Sequence, residues 1–269
     1  KSGANLLWHY WKEYYSLRYP GNIITSQPDE EWNSYMDRLN YFTKISLDRY
    51  KKTIVLGGDH SISEATVPAF FDQYGSSGHL IWVDAHPDIQ LPETSPSGNR
   101  HGMPMSVILG TLESSVNRSY IPNPRQISYV GIRDIDRDER DRIKLLESEG
   151  LGCYYGPDLL DFGQGWPKWV GEKMGRMFEL RNVDAVYISF DVDVLDPSEI
   201  MGTGTHIENG LNSRELKEFF SIISELTDVV GMDIVEFNPD LIVGDEEKDK
   251  NLIVAGECEL IMDIVKKLF

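Results

Sequence analysis

The chain has 269 residues with 44 acidic and 26 basic side chains, hence a formal net charge of −18 with histidine neutral. That length, with 41% hydrophobic residues, suffices for a packed core and excludes a disordered chain. The acidity argues against nucleic acid or an anionic membrane as partner, and no run of 18 apolar residues is present to span a bilayer.

Short β-branched runs alternate along the chain with segments that carry apolar residues at helical spacing. A strand is predicted over Thr53–Leu56 and a helix over Ser61–Tyr74, then a strand over His79–Val83 and a helix over Met103–Glu113. A strand over Gln126–Ile132 and helices over Asp138–Ser148 and Pro167–Leu180 follow. A strand over Ala185–Phe190, a helix over Ser213–Glu225, a strand over Val229–Val235 and a last helix over Lys250–Leu268 close the series. Such alternation implies a three-layer α/β/α fold with a mostly parallel sheet. The polar stretches Pro92–Asn99 and Gly202–Asn209 are too short for interdomain linkers, so residues 1–269 read as one domain with functional loops. Two cysteines, Cys153 and Cys258, make no disulfide framework and fit a reducing compartment.

The polar residues recur at one place in each unit, the C-terminal end of a strand. Gly57-Gly58-Asp59-His60, Asp84-Ala85-His86-Pro87-Asp88, Arg133-Asp134-Ile135-Asp136, Asp191-Val192-Asp193 and Glu236-Phe237-Asn238-Pro239 each follow a predicted strand. In open α/β sheets that edge forms the binding crevice. Residues two apart in extended backbone point the same way, so Asp84, His86 and Asp88 can face one point, as can Asp191 and Asp193. Clustered carboxylates repel one another unless a cation lies between them. His60, Asp84, His86, Asp88, Asp191 and Asp193 form an oxygen-rich set with two imidazoles and no thiolate, which favours manganese over zinc. Six ligands exceed the needs of one open ion, so two ions per chain are expected.

Gly-Gly-Asp-His-Ser at 57–61, Asp-Ala-His-Pro-Asp at 84–88, Ser-Phe-Asp-Val-Asp at 189–193 and Asp-Pro at 196–197 resemble the ureohydrolases. Ser97-Gly98-Asn99-Arg100-His101-Gly102 and the run Gly231–Pro239 narrow the resemblance to arginase, from about Ile54 onward. The resemblance implies an amidinohydrolase that converts L-arginine to ornithine and urea through a hydroxide bridging two Mn2+ ions, held by the six ligands above. It places His101 as proton shuttle, Glu236 as partner of the substrate guanidinium, and Asp88 with them in the catalytic group. Gln90, Ser97, Asn99, Asp136, Glu139 and Thr205 fall at substrate-pocket positions. Arg214 and Glu215 match an Arg-Glu pair that contributes to trimer assembly, so a homotrimer or hexamer is expected. His9, His79, Cys153 and Cys258 lie outside every motif and read as structural or exposed.

Three departures bear on selectivity. Gln90 stands where the arginase pattern has asparagine, His206 replaces a proline, and Glu208 adds a negative charge to the same loop. The family's first strand and its loop are expected before Lys1, where any targeting signal would also lie; a cytoplasmic or mitochondrial location is the expectation. Another guanidino or amidino substrate, agmatine-like, is the alternative activity. A weakly active homologue serving as a binding or assembly protein is the alternative from another class.

Overall fold

The computed structural model describes residues 2–14, 30–244 and 247–268. Six strands form one fully parallel sheet: β1 (Thr53–Leu56), β2 (Gly78–Val83), β3 (Ile127–Val130), β4 (Gly152–Tyr154), β5 (Ala185–Asp191) and β6 (Asp228–Val235), in spatial order β1-β6-β5-β2-β3-β4. The central strands β2 and β5 are buried along their whole length, which is why their sequences are almost uninterrupted apolar runs. Alternate residues of these strands feed two separate cores. Ile81, Val83, Val186, Ile188 and Phe190 pack on one face, whereas Leu80, Trp82, Ala185 and Tyr187 pack on the other.

Nine helices occur among the described residues: α1 (Ser2–Tyr14), α2 (Trp32–Arg49), α3 (Ser63–Tyr74), α4 (Pro104–Ile108), α5 (Arg137–Ser148), α6 (Gly156–Phe162), α7 (Trp166–Arg181), α8 (Ser213–Leu226) and α9 (Glu247–Val265). In α8, Leu216, Phe219, Phe220 and Ile223 are buried at spacings of three and four, a stripe that seats the helix on the first core. The Asn212 side chain accepts the Arg214 N–H at 3.0 Å and caps its start. Helices α7, α8 and α9 contribute to the first core, and α3, α4 and α5 to the second. The expected three-layer α/β/α architecture is therefore the one observed.

The structure differs from the sequence reading in three places. The helix expected over Met103–Glu113 is only Pro104–Ile108, because Gly110 adopts a φ of 76° and the chain turns away there. The edge strand β4 has three half-buried residues, too short for a periodic signal. Helices α1, α2 and α6 have no counterpart among the predicted elements; α6 is a seven-residue piece.

Consecutive strands β2, β3 and β4 run outward to one edge, while β5 and β6 run the other way. The strand order therefore reverses between β2 and β5, and the crevice at their carboxyl ends is where such sheets place a site.

Candidate metal centre and substrate pocket

Asp84 directly follows β2, Asp191 ends β5, and Asp193 lies in the 3-10 turn that continues from it. His60 opens the 3-10 turn after β1, where Asp59 caps the turn by accepting the Ser61 N–H at 3.0 Å. The glycine at 57 is required by close approach, since a Cβ there would lie 2.3 Å from Ile62 Cδ1.

Four of the six expected ligands meet at one atom. His60 Nδ1 is 3.1 Å from Asp84 Oδ2, 3.1 Å from Asp88 Oδ2 and 3.1 Å from Asp191 Oδ2. The other ring nitrogen decides what Nδ1 carries. Ser189 Oγ donates to Asp233 Oδ1 at 2.6 Å, so its lone pairs accept His60 Nε2–H at 2.8 Å. With Nε2 so committed, Nδ1 is left facing three carboxylates, where it can carry a proton or bind a metal ion between them. Three buried carboxylates gathered around one ring nitrogen fit a cation. Ser63 and Thr66 also donate to Asp233, at 3.0 and 2.7 Å, and the Trp82 ring stacks on His60 at 4.0 Å. This is the outer layer that orients a metal-binding histidine.

The second group shares Asp84 with the first. His86 Nδ1 is 3.0 Å from Asp193 Oδ2 and 3.5 Å from Asp84 Oδ1, and its Nε2 faces Asp134 at 3.7 Å. Asp84 thus directs one oxygen to each group, and Asp191 lies with the first. Backbone donors fix the carboxylates: His86 N donates to Asp84 Oδ1 at 2.7 Å, Ala85 N to Asp193 Oδ1 at 3.2 Å and Asp193 N to Asp191 Oδ1 at 2.8 Å. The residues present suit two hard divalent ions.

The electrostatics agree. Burial disfavours a charged His86, but the Asp193 and Asp84 carboxylates more than reverse this and push it up to about 12. Burial likewise opposes the His60 charge, and Asp191, Asp84 and Asp88 raise it well above its ordinary value. Burial and the Asp84 charge push Asp88 up to about 7. Asp191 is raised by burial and by Asp193, while the two histidines, acting against burial, hold Asp84 low. Protons are thus kept where positive charge is needed.

Two site residues have left-handed backbone: Asp88 with φ 49° and Glu236 with φ 62°. For a glutamate this costs on the order of 1–3 kcal/mol, and it persists where the surroundings impose it. Glu236 N donates to Gly58 O at 2.7 Å, and Glu236 Oε1 accepts the His60 N–H at 2.7 Å. His101 Nδ1 lies 3.6 Å from the same oxygen, and Glu236, with partial burial opposing, draws the imidazole above its ordinary pKa. Asp59, His101 and Glu236 form a third cluster, joined to the first ligand group by the His60 N–H to Glu236 hydrogen bond.

The remaining expected pocket residues are placed less uniformly. The Gln90 Nε2 donates to Asp136 Oδ2 at 2.7 Å, and its Oε1 accepts from Thr94 Oγ1 at 3.0 Å. Glu139 is buried and structural in its contacts. Its two oxygens accept from Asp136 N at 3.1 Å and Ile89 N at 3.3 Å, and burial pushes its carboxyl up to about 7. Thr205 donates to Asp193 Oδ2 at 2.7 Å, so it supports a ligand. Ser97 and Asn99 are exposed in their loop, where Ser97 Oγ accepts the Asn99 N–H at 3.1 Å. His206 and Glu208 are exposed. Arg214 is exposed at the start of α8, while Glu215 accepts Trp166 Nε1–H at 3.0 Å within the chain. Buried His79 has its pKa lowered to about 3 by burial, which keeps the ring neutral and structural.

Ser189 and Asp233, which support His60, are not among the residues the sequence singles out. A serine and an aspartate inside otherwise apolar central strands were the available signal.

A sequence model of the arginase family matches residues 9–257 of this chain, well before the point where the short motifs begin. The arginase of Staphylococcus aureus (strain MRSA252) is 37% identical over 204 residues, covering 75% of this chain and 65% of that protein. The chain thus spans about two-thirds of the length of this curated relative. The crystal structure of arginase from Bacillus subtilis superposes with a TM-score of 0.79 at 28% identity, covering 98% of this chain and 90% of that one. Entamoeba histolytica arginase in complex with L-ornithine gives a TM-score of 0.71 at 29% identity, covering 88% and 81% of the two chains. Together with the two ligand groups on Asp84, these matches show that the chain belongs to the arginase family.

Proposed function

We propose that this protein hydrolyses a guanidino group, with L-arginine as substrate and ornithine and urea as products. The observation that carries this reading is the convergence of Asp84, Asp88 and Asp191 on His60 Nδ1, and of the second Asp84 oxygen and Asp193 on His86 Nδ1. His60, Asp84, His86, Asp88, Asp191 and Asp193 would hold two manganese ions, whose charge would activate water near neutral pH. The chain's own groups perform the rest. The Glu236 carboxylate binds the planar guanidinium by charge-assisted hydrogen bonds, at the edge of the ligand groups. His101, beside Glu236, passes a proton to the departing amine, for which an imidazole has suitable acidity. Urea release from L-arginine by the manganese-loaded protein tests the reading; no release from any guanidino compound overturns it. A homotrimer or hexamer and a location in cytoplasm or mitochondrion belong to the same proposal. Among the described residues, no helix is long and apolar enough to cross a membrane.

Metal loading is expected to release protons. His86, protonated up to about 12, and Asp88, with its carboxyl near 7, must give up protons to coordinate, so affinity rises with pH and weakens in acid. Calorimetric titration with Mn2+ at pH 7, in buffers of different ionisation enthalpy, should register about one proton or more per chain. A buffer-independent heat contradicts this.

One contact favours an agmatine-like substrate as the second reading. The Gln90 amide is committed to Asp136 and Thr94, which leaves it poorly placed to greet an α-carboxylate. Asparagine is one methylene shorter, drops the Asp136 contact and leaves its N–H groups for that carboxylate. Gln90→Asn is therefore expected to raise the arginine-to-agmatine ratio of kcat/KM by about fivefold, close to 1 kcal/mol. An unchanged or lowered ratio means Gln90 already does what the asparagine would do.

A further inference from the structure

The residue ahead of His101 is attached in a way its exposed loop does not need for itself. Arg100 Nε donates to Glu64 Oε1 at 2.8 Å and Nη2 to Glu64 Oε2 at 2.6 Å, a two-pronged pair. Nη2 also donates to Ser115 Oγ at 2.9 Å, which Trp32 Nε1 reaches at 3.2 Å, and the guanidinium carbon stands 5.0 Å from the Trp32 ring centre. Glu64 is fully buried in α3, four residues beyond His60. Burying a carboxylate against a half-exposed arginine is weak as a source of stability. Its effect is to fix a conformation.

The segment so fixed is short. Arg100–Gly102 form a single 3-10 turn, tied on one side by the Arg100 side chain and on the other by Gln90 N, which donates to Gly102 O at 2.9 Å. His101 lies between the two ties. Across the pocket, Glu236 Oε1 accepts from His60 N and faces His101. The turn bearing His60 therefore reaches His101 by two routes, through Glu236 and through Glu64–Arg100.

We propose that the Arg100–Glu64 pair is the positioning device for His101, locking its turn to the segment that presents His60. This rests on the proton-transfer role of His101 given above. The contacts of Arg100 are with Glu64, Ser115 and the Trp32 ring, so it acts through its neighbour. The charge-free double variant Arg100→Leu/Glu64→Leu tests it in the manganese-loaded protein, because it strands no buried charge. Two ions per chain are retained, kcat for urea release falls by about 10- to 100-fold and KM stays within about twofold. Amide hydrogens of residues 97–103 exchange about tenfold faster, with the rest of the chain unchanged. Arg100→Lys keeps the charge but not the fork and gives a smaller loss than the double variant. In a His101→Asn background the double change leaves kcat unaltered, because the group it acts through is gone. A further loss in that background, or unchanged exchange over 97–103, overturns the proposal. If His101→Asn alone keeps full turnover, the proton-transfer role fails instead, and exchange alone then decides whether the pair orders the turn.

Discussion

Replacing Asp84 with alanine is expected to strip manganese from both ligand groups and to lower urea release by about 10³-fold or more, the several kcal/mol that metal catalysis supplies. Asp84 offers one oxygen toward His60 and the other toward His86, and each group depends on it. Asp193→Ala removes a carboxylate from the His86 group alone and should cost one ion while the His60 group keeps its own. Elemental analysis of the manganese-loaded proteins distinguishes the two: about two ions in the parent, about one in Asp193→Ala and none in Asp84→Ala. An Asp193→Ala protein with full occupancy and full activity means the ligand assignment is wrong. Trp82 Nε1 donates to Asp84 at 2.9 Å and His86 N at 2.7 Å, so Asp84→Ala also leaves two donors without their acceptor. That costs on the order of 1–3 kcal/mol per group, partly offset by relief of carboxylate repulsion, and the protein should melt lower yet still cooperatively.

His101→Asn is expected to leave both ions in place while lowering turnover by about 10²-fold, the low end of general acid–base contributions, because water can relay part of the proton traffic. The ion-pair partner of His101 is Glu236, which is outside the six expected ligands, so metal content and catalysis should separate. A fall in manganese occupancy in this variant assigns His101 to the metal site instead.

Much of the scaffold was legible along the chain. The continuous apolar runs of β2 and β5 and the three-four spacing of α8 are local patterns, and they specified a parallel sheet between helices. The ligand types were legible too, because Asp-Ala-His-Pro-Asp and Asp-Val-Asp place acceptors two residues apart at strand ends. Short elements such as β4 and α6 carry too few residues for a period to emerge, and Gly110 ended α4 early by its backbone conformation.

The sequence by itself determined which groups are present at the strand ends and that their chemistry suits hard divalent ions. Only the tertiary structure decided which of them meet. Gln90 and Asp136 are 46 residues apart and Arg100 and Glu64 are 36 apart, so no local period relates them. Each pair forms because a separate strand–helix unit brings its loop to the same edge of the sheet. The same holds for Ser189 and Asp233, which become the hydrogen-bond support of His60 because β5 and β6 pair with those two residues in register. Spacing sets the direction in which a side chain points. Packing between distant segments sets what it touches, and in this protein that includes which pocket groups are left for a substrate.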